Sequence, residues 1–468
     1  MVPPDVLRTV LTERALPFAV VAAMLATAAC ARLWRRNPQD VRKRGAIVTH
    51  ETGRRHVSGQ KGGLGRELVL AGQLVPFHDE TKHFKMIGST GTGKSTAIRH
   101  LLAGALDRGD RAIIADPDGG YCDRFFNRHR GDVILNPFEP RSVMWDPFAE
   151  INDVYDIDQL AAGLICSTED ASSNEWRGYA RTFLRAVLRR CRQDERRSIP
   201  ELWRLVAVAS AEELRSVVAG TPAQPFLDPE NARMFGSIRS VAVSAIAALE
   251  YVQAQRAAAF SVREWVRIRP QGSALFIPYK GTQIEALRSM IATWMRLAIF
   301  EVMSGIEGRD QRLWFVIDEL DAIGAIEGLK DALARLRKFG GRCVLGFQSI
   351  AQVSGTYGAA QAQTIVENCS STLILRCSGS ENGGTSQFAS KLIGEREVIR
   401  RQISRGSDRE GAFSARGVRR SKNISEQHVT ETAVMASQIE QLPDLCGYLK
   451  LASSRAWRKV AIGTEGDF

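Results

Sequence analysis

The chain has 468 residues, 44% of them hydrophobic, which allows two or three domains with buried cores and excludes a disordered tail. Its 63 Lys and Arg against 52 Asp and Glu leave a formal charge of +11, a balance that favours a polyanionic partner, nucleic acid or an anionic membrane surface. Eight scattered cysteines, with no C-x-x-C and no histidine at zinc spacing, read as reduced thiols of a cytosolic body.

In chain order, the first feature is Ala15 to Ala31, ALPFAVVAAMLATAACA, 17 residues without a charge and at the short limit for a membrane-spanning helix. Residues 1–36 are therefore expected to hold one transmembrane helix at about 15–34. Arg32, Arg35, Arg36, Arg42, Lys43 and Arg44 follow the stretch, against Arg8 and Arg14 before it, so the positive-inside rule puts the body in the cytoplasm. The rival readings are a cleaved signal peptide, with TAAC at Thr27 to Cys30 faintly like a lipoprotein cleavage site, and a buried or interfacial helix. Residues 37–65 are polar, Gly-rich and basic, a linker with one short strand at most.

Gly88 to Thr96 reads GSTGTGKST and fits G-x-x-x-x-G-K-[ST], the phosphate-binding loop of an NTPase. Glycines let the backbone curl so that successive N–H groups face phosphate oxygens, Lys94 carries a charge to the β- and γ-phosphates, and Ser95 offers a hydroxyl to Mg²⁺. Gly88, Ser89, Thr90, Gly91, Thr92, Gly93, Lys94, Ser95 and Thr96 are the candidate nucleotide contacts, with ATP and Mg²⁺ as cofactors and no other metal expected. The flanks agree. HFKMI before the loop is strand-like, and Ala97, Ile98, Leu101, Leu102, Ala105 and Leu106 recur after it at helical spacing until Arg108-Gly109.

RAIIADPDGG (Arg111 to Gly120) and DVILNPF (Asp132 to Phe138) are further short strands, and apolar runs alternating with a helix indicate a parallel, doubly wound α/β sheet. Asp116 and Asp118 fall at a strand's carboxyl end, where such sheets bind ligands, although turn formation explains them equally well. From about Ile157 to Val266 the pattern turns helical: Gln159–Cys166, Glu175–Arg192, Pro200–Ala209, Ala211–Ala219 and Asn231–Gln253, with no convincing strand. Arg177, Arg181, Arg185, Arg189, Arg190 and Arg192 line the second of these, as a solvated face or a DNA contact.

The sheet resumes with GSALFIPY (Gly272 to Tyr279). The expected division is nucleotide-binding domain over 66–155 and 267–468, interrupted by an all-α domain over 156–266. RLWFVIDEL ends an apolar run in two acids, of which Asp318 would hold Mg²⁺ and Glu319 would deprotonate the attacking water. RCVLGFQS ends in Gln348, placed either to sense the γ-phosphate or to cap a helix. Arg337, before the Gly340 turn, could reach a neighbouring subunit's nucleotide, with Arg335, Lys338 and Arg342 as alternatives. TLILRC continues the sheet. Nine basic and three acidic residues between Arg396 and Lys422 suit a mobile basic loop between two strands, solvated or in contact with phosphate, and QIEQLPDLCGYLKLASSRAWRKVAI closes as a helix, a turn and a strand pair.

With the phosphate loop, RAIIADPDGG, DVILNPF, LWFVIDEL, RKFG, GFQSIAQ and QIEQLPDLCGYL in this order, the chain resembles the TraD/TrwB family of conjugative type IV secretion coupling proteins over roughly Arg66 to Ile462. The resemblance implies a RecA-like P-loop NTPase domain with an inserted all-α domain and an N-terminal membrane-anchor helix. It also implies a homohexamer at the bacterial inner membrane that binds DNA with little sequence preference, hydrolyses ATP and links a relaxase–DNA complex to the secretion channel. Lys94, Ser95, Asp318, Glu319 and Gln348 take the family's catalytic places, and Arg337 matches its R-K-x-G segment. Family members commonly carry two N-terminal transmembrane helices, where this chain has one candidate. The alternatives are an FtsK/HerA-like DNA pump outside conjugation and a non-motor membrane adaptor that recruits relaxase.

Overall fold

The computed structural model describes residues 40–50, 67–168, 170–193, 197–268, 272–308, 311–381, 383–408 and 419–463. The expected anchor at 1–36 and most of the 37–65 linker lie outside these residues. Among the described residues no helix is long and apolar enough to cross a membrane. The chain divides into two compact units, the smaller described over residues 40–46, 394–408 and 419–433.

β1 (Asp40–Gly45) belongs to the smaller unit and β2 (Ile47–His50) to the larger. The linker thus carries two strands where one at most was expected. A hairpin of β3 (Leu68–Leu70) and β4 (Gln73–Val75) precedes β5 (Phe84–Ile87), which runs into the glycine loop and the helix Lys94–Asp107. β6 (Arg111–Pro117), β7 (Val133–Ile134) and β8 (Met144–Trp145) follow. Beyond the helical stretch come β9 (Ala259–Phe260), β10 (Ala274–Tyr279), β11 (Leu313–Ile317), β12 (Gly341–Phe347) and β13 (Ser371–Ile374). β14 (Glu395–Asp408) and β15 (Arg419–Thr432) lie in the smaller unit, and β16 (Cys446–Lys450) and β17 (Ala456–Ala461) close the larger.

The larger unit is built on one sheet of order β2-β17-β16-β13-β5-β12-β11-β6-β10-β7. Its strands from β13 to β7 are parallel, while β16 pairs antiparallel with both β13 and β17. Every residue of β5, β11 and β12 is buried, as expected of strands covered on both faces. On one face the helix Lys94–Asp107 buries Ala97, Ile98, Leu101, Leu102, Ala105 and Leu106 in a core shared with Leu68, Leu70, Trp314 and Val344. Each of the large aliphatic side chains in it contributes about 1.5–3 kcal/mol.

Register then sets the site. Ile87 of β5 lies beside Phe347 of β12, and Ile317 of β11 beside Leu345. The next residues on the three strands, Gly88, Gln348 and the Asp318-Glu319 pair, therefore emerge together at the carboxyl edge. The chain passes from β5 to β6 over two intervening strands, a crossover that opens such an edge to a ligand.

The helical stretch comprises Val154–Leu164, Ala171–Gln193, Ile199–Trp203 continuing as a π turn over Arg204–Val208, Ala211–Val218, Ala232–Ile246 and Leu249–Gln253. One strand was missed here: β9 pairs in parallel with β8, a two-residue contact too short to leave a pattern in the sequence. The arginine stripe also needs correcting. Arg177 donates to Cys166 O at 3.0 Å, Arg181 to Ile165 O at 2.5 Å and Ser167 Oγ at 2.8 Å, and Arg185 pairs with Asp158 at 2.9 Å. Arg192 also donates to Asn152 O, so four of the six tie their helix to the preceding helix and its flanking loops, Arg177 and Arg181 satisfying carbonyls at that helix's end.

The smaller unit is an antiparallel sheet β1-β14-β15. The basic loop expected over Arg396 to Lys422 is, in its described residues, a ribbon paired from Glu395↔Thr432 to Asp408↔Arg419, and residues 409–418 of that expectation lie outside the described residues. Opposite charges face each other across it, Arg396 with Glu431 and Arg401 with Glu426, each at 2.8 Å. Counting charges along the chain concealed that pairing.

Candidate nucleotide site

The loop that follows β5 is held at both sides. Gly88 N–H donates to Phe347 O at 3.3 Å and Ser89 N–H to Arg376 O at 2.8 Å. Gly91 and Gly93 have φ of 76° and 110°, where side chains are strained. At Gly93 a Cβ would also lie 2.7 Å from Leu445 Cδ2, and at Gly88 one would lie 2.8 Å from Leu375 Cβ. Thr92 Oγ1 closes the curl by donating to Ser89 O at 2.8 Å.

Lys94 opens the following helix and is buried, its Nζ donating to Gly88 O at 2.7 Å. Burial holds its pKa below the ordinary lysine value. Ser95 Oγ donates to Asp318 Oδ2 at 2.6 Å. Glu319 Oε1 accepts from Gln348 Nε2 at 2.7 Å, and Gln348 Oε1 accepts from Thr90 Oγ1 at 2.7 Å. Burial pushes the Glu319 carboxyl up, against the Gln348 hydrogen bond, which lowers it. Lys94, Ser95, Thr96, Asp318, Glu319, Gln348, Thr90, Gly91 and Gly93 line one cavity of about 320 Å³.

Asp318 Oδ1 is buried and has no hydrogen-bond partner among the described residues. It lies over Gly346, where a Cβ would come 3.1 Å from Oδ1 and 2.2 Å from the Asp318 carbonyl oxygen. A carboxylate oxygen in a space that a side chain would fill, beside a serine hydroxyl whose proton is committed to the other carboxylate oxygen, fits a hard oxygen-seeking cation such as Mg²⁺.

The remaining candidates separate. Arg337 is exposed on the 3-10 turn Arg337–Phe339 and does not line the cavity. Arg335 and Lys338 are exposed too, Lys338 pairing with Glu307 at 3.3 Å. Arg342 is fully buried, bound to Glu80 at 2.8 Å and to Gly340 O at 2.7 Å, and its role is structural. Asp116 accepts from the Tyr121 and Cys122 N–H groups at 3.1 and 2.7 Å and anchors the helix Gly120–Phe125, burial pushing its pKa up to about 6. Asp118, at φ 57°, belongs to the turn.

Sequence reasoning missed four contributors. Tyr121 OH donates to Asp318 Oδ2 at 2.9 Å, and Gly346 makes room for that carboxylate. Asp444 and Leu445 line the cavity from the C-terminal segment, Leu445 N–H donating to Thr92 O at 2.9 Å and Asp444 pairing with Arg376 at 2.6 Å. LPDLCGYL was visible in the sequence, but nothing in its local pattern directs it to a nucleotide.

A parallel sheet with a glycine loop at the end of a central strand, and a carboxylate pair two strands away, defines a P-loop NTPase of RecA-like fold. The family described as type IV secretion-system coupling protein DNA-binding domain matches residues 67–462, and the chain belongs to it. It is 30% identical over 395 residues to the coupling protein TraD of Escherichia coli K12, across 82% of this chain and 53% of TraD. The chain thus spans about half the length of that curated relative. Solved structures of the plasmid coupling protein TrwB are similar along most of both chains. One in complex with the non-hydrolysable ATP analogue ADPNP aligns at TM-score 0.77 and 30% identity over 90% of this chain and 94% of that one. Another, in complex with ADP and Mg²⁺, aligns at TM-score 0.77 and 29% identity over the same shares.

Proposed function

We propose that the chain is a conjugative coupling protein, an ATP-dependent DNA motor that links a relaxase–DNA complex to a type IV secretion channel. The observation that carries this reading is the single cavity that collects Lys94, Ser95, Asp318, Glu319 and Gln348 from three adjacent strand ends. Family membership and the nucleotide complexes of TrwB support it.

In this reading Lys94 leaves the Gly88 carbonyl for the β- and γ-phosphates of ATP, and the loop N–H groups cradle them. Ser95 and Asp318 would hold Mg²⁺, which when bound supplies positive charge to the phosphates of the transition state. Glu319 orients and deprotonates the attacking water, its raised pKa making it a better base than an ordinary carboxylate. Gln348, bonded to both Thr90 and Glu319, relays loss of the γ-phosphate from the loop to β12. Arg337, which is exposed and outside its own subunit's cavity, would serve a neighbour's as an arginine finger in a homohexamer.

The same proposal covers the domain division, 66–155 with 267–468 around an all-α domain at 156–266, and a site at the bacterial inner membrane with the main domain in the cytoplasm. The test is Glu319→Gln in a conjugation assay with ADPNP binding measured beside it. A motor loses DNA transfer while still binding the analogue, whereas undiminished transfer would make the chain an adaptor.

A further inference from the structure

We infer that Tyr121 is a positioning residue for the cation-holding pair Ser95 and Asp318, an inference that rests on the nucleotide-site reading above. Asp318 Oδ2 accepts two hydroxyl protons, from Ser95 at 2.6 Å and from Tyr121 at 2.9 Å, while Oδ1 is buried and unpartnered among the described residues. A carboxylate held by one donor can rotate about its Cβ–Cγ bond. Two donors converging on one oxygen from different elements fix its plane.

The consequence reaches Ser95. With Oδ2 pinned, the serine proton has a fixed acceptor, and the serine oxygen keeps its acceptor capacity for a cation. Oδ1 is kept over Gly346, where no side chain intrudes.

Tyr121 is itself built in. Its ring is buried, with the Arg99 guanidinium 5.5 Å from the ring centroid. Its backbone N–H donates to Asp116, and so does that of Cys122, so the buried Asp116 carboxylate clamps the first turn of a six-residue helix that reaches the site through the tyrosine hydroxyl. Gly119, at φ 76°, turns the chain from β6 into that helix. The run Asp116 to Tyr121 thus works as a bracket from one strand of the sheet to the carboxylate at the end of its neighbour, β11. Groups that orient metal-holding carboxylates typically change metal affinity by roughly 10–100-fold when removed.

The experiment uses the full chain and equilibrium binding of ADPNP, titrated at a series of Mg²⁺ concentrations and again in EDTA. Tyr121→Phe keeps the ring and removes the hydroxyl. The expected result is a half-saturating Mg²⁺ concentration raised roughly ten-fold, with ADPNP affinity in EDTA unchanged. Asp116→Asn, which loosens the bracket one step back, should shift Mg²⁺ half-saturation in the same direction by less, and it serves if Tyr121→Phe does not fold. An unchanged Mg²⁺ half-saturation in a folded variant overturns the inference, as does an equal loss of affinity with and without Mg²⁺, which marks a merely structural tyrosine. Failure of the unaltered chain to bind ADPNP at all would instead overturn the nucleotide-site reading and this inference with it.

Discussion

Gln348 Nε2 donates to Glu319 Oε1 at 2.7 Å, joining the ends of β12 and β11 inside the nucleotide cavity. The same amide accepts from Thr90, so the phosphate loop and the proposed base are two hydrogen bonds apart.

That bond sets a pH dependence. Burial raises the Glu319 pKa above the ordinary 4.5, and the Gln348 hydrogen bond partly lowers it. A base must be ionised, so kcat should fall as pH drops through this raised value. Gln348→Ala removes the lowering contribution and should move the acid limb to still higher pH. A pH profile of kcat checks this, and a limb that shifts to lower pH contradicts it.

Arg337 and Arg342 should fail in different ways. Arg337→Ala leaves the fold and ADPNP affinity intact and lowers kcat by roughly a thousand-fold or more, with activity partly restored by mixing in Lys94→Ala subunits. Arg342→Ala removes one of the two arginines that pair with the buried Glu80, Arg108 keeping its two hydrogen bonds to that carboxylate, and costs about 1–3 kcal/mol of stability, read by urea unfolding.

His83 makes stability fall in mild acid. Its Nε2 donates to Leu333 O at 2.9 Å and its Nδ1 accepts from Cys343 N–H at 3.1 Å, and burial lowers its pKa from 6.5 to about 4. The unfolded chain takes up a proton below 6.5 that the folded chain refuses until about 4. The contribution, on the order of 3 kcal/mol, is present in full above pH 6.5 and is lost as pH falls towards 4. His83→Asn should flatten that part of a Tm-against-pH curve while lowering Tm at pH 8, since two hydrogen bonds go with the ring.

Arg181→Ala should cost about 1–3 kcal/mol of stability, because it leaves the Ile165 carbonyl and Ser167 hydroxyl short of a donor. DNA affinity should not change. A variant of full stability with weakened DNA binding would restore the contact-face reading of the stripe.

Much of the sheet was legible because buried parallel strands read as continuous apolar runs: FKMI, LWFVI and GRCVLGF stand where the sequence placed them. The phosphate loop was legible because its chemistry is local. What escaped was non-local. Tyr121 and Asp318 are 197 residues apart, and Leu445 meets Thr92 through a backbone hydrogen bond that no side-chain pattern encodes. The β14–β15 ribbon reads as a loop in the sequence because a charge-rich stretch with few large apolar residues leaves no strand pattern along the chain, while pairs such as Arg396–Glu431 form across the strands. Arg342 stood as an alternative to Arg337 in the sequence, and its packing against Glu80 is what removes it.

The most direct measurement is steady-state ATP hydrolysis per subunit against protein concentration, with and without DNA, with Lys94→Ala as blank. A DNA motor that borrows Arg337 from its neighbour predicts a rate per subunit that rises steeply with concentration and with DNA. A rate constant across concentrations and indifferent to DNA would contradict it.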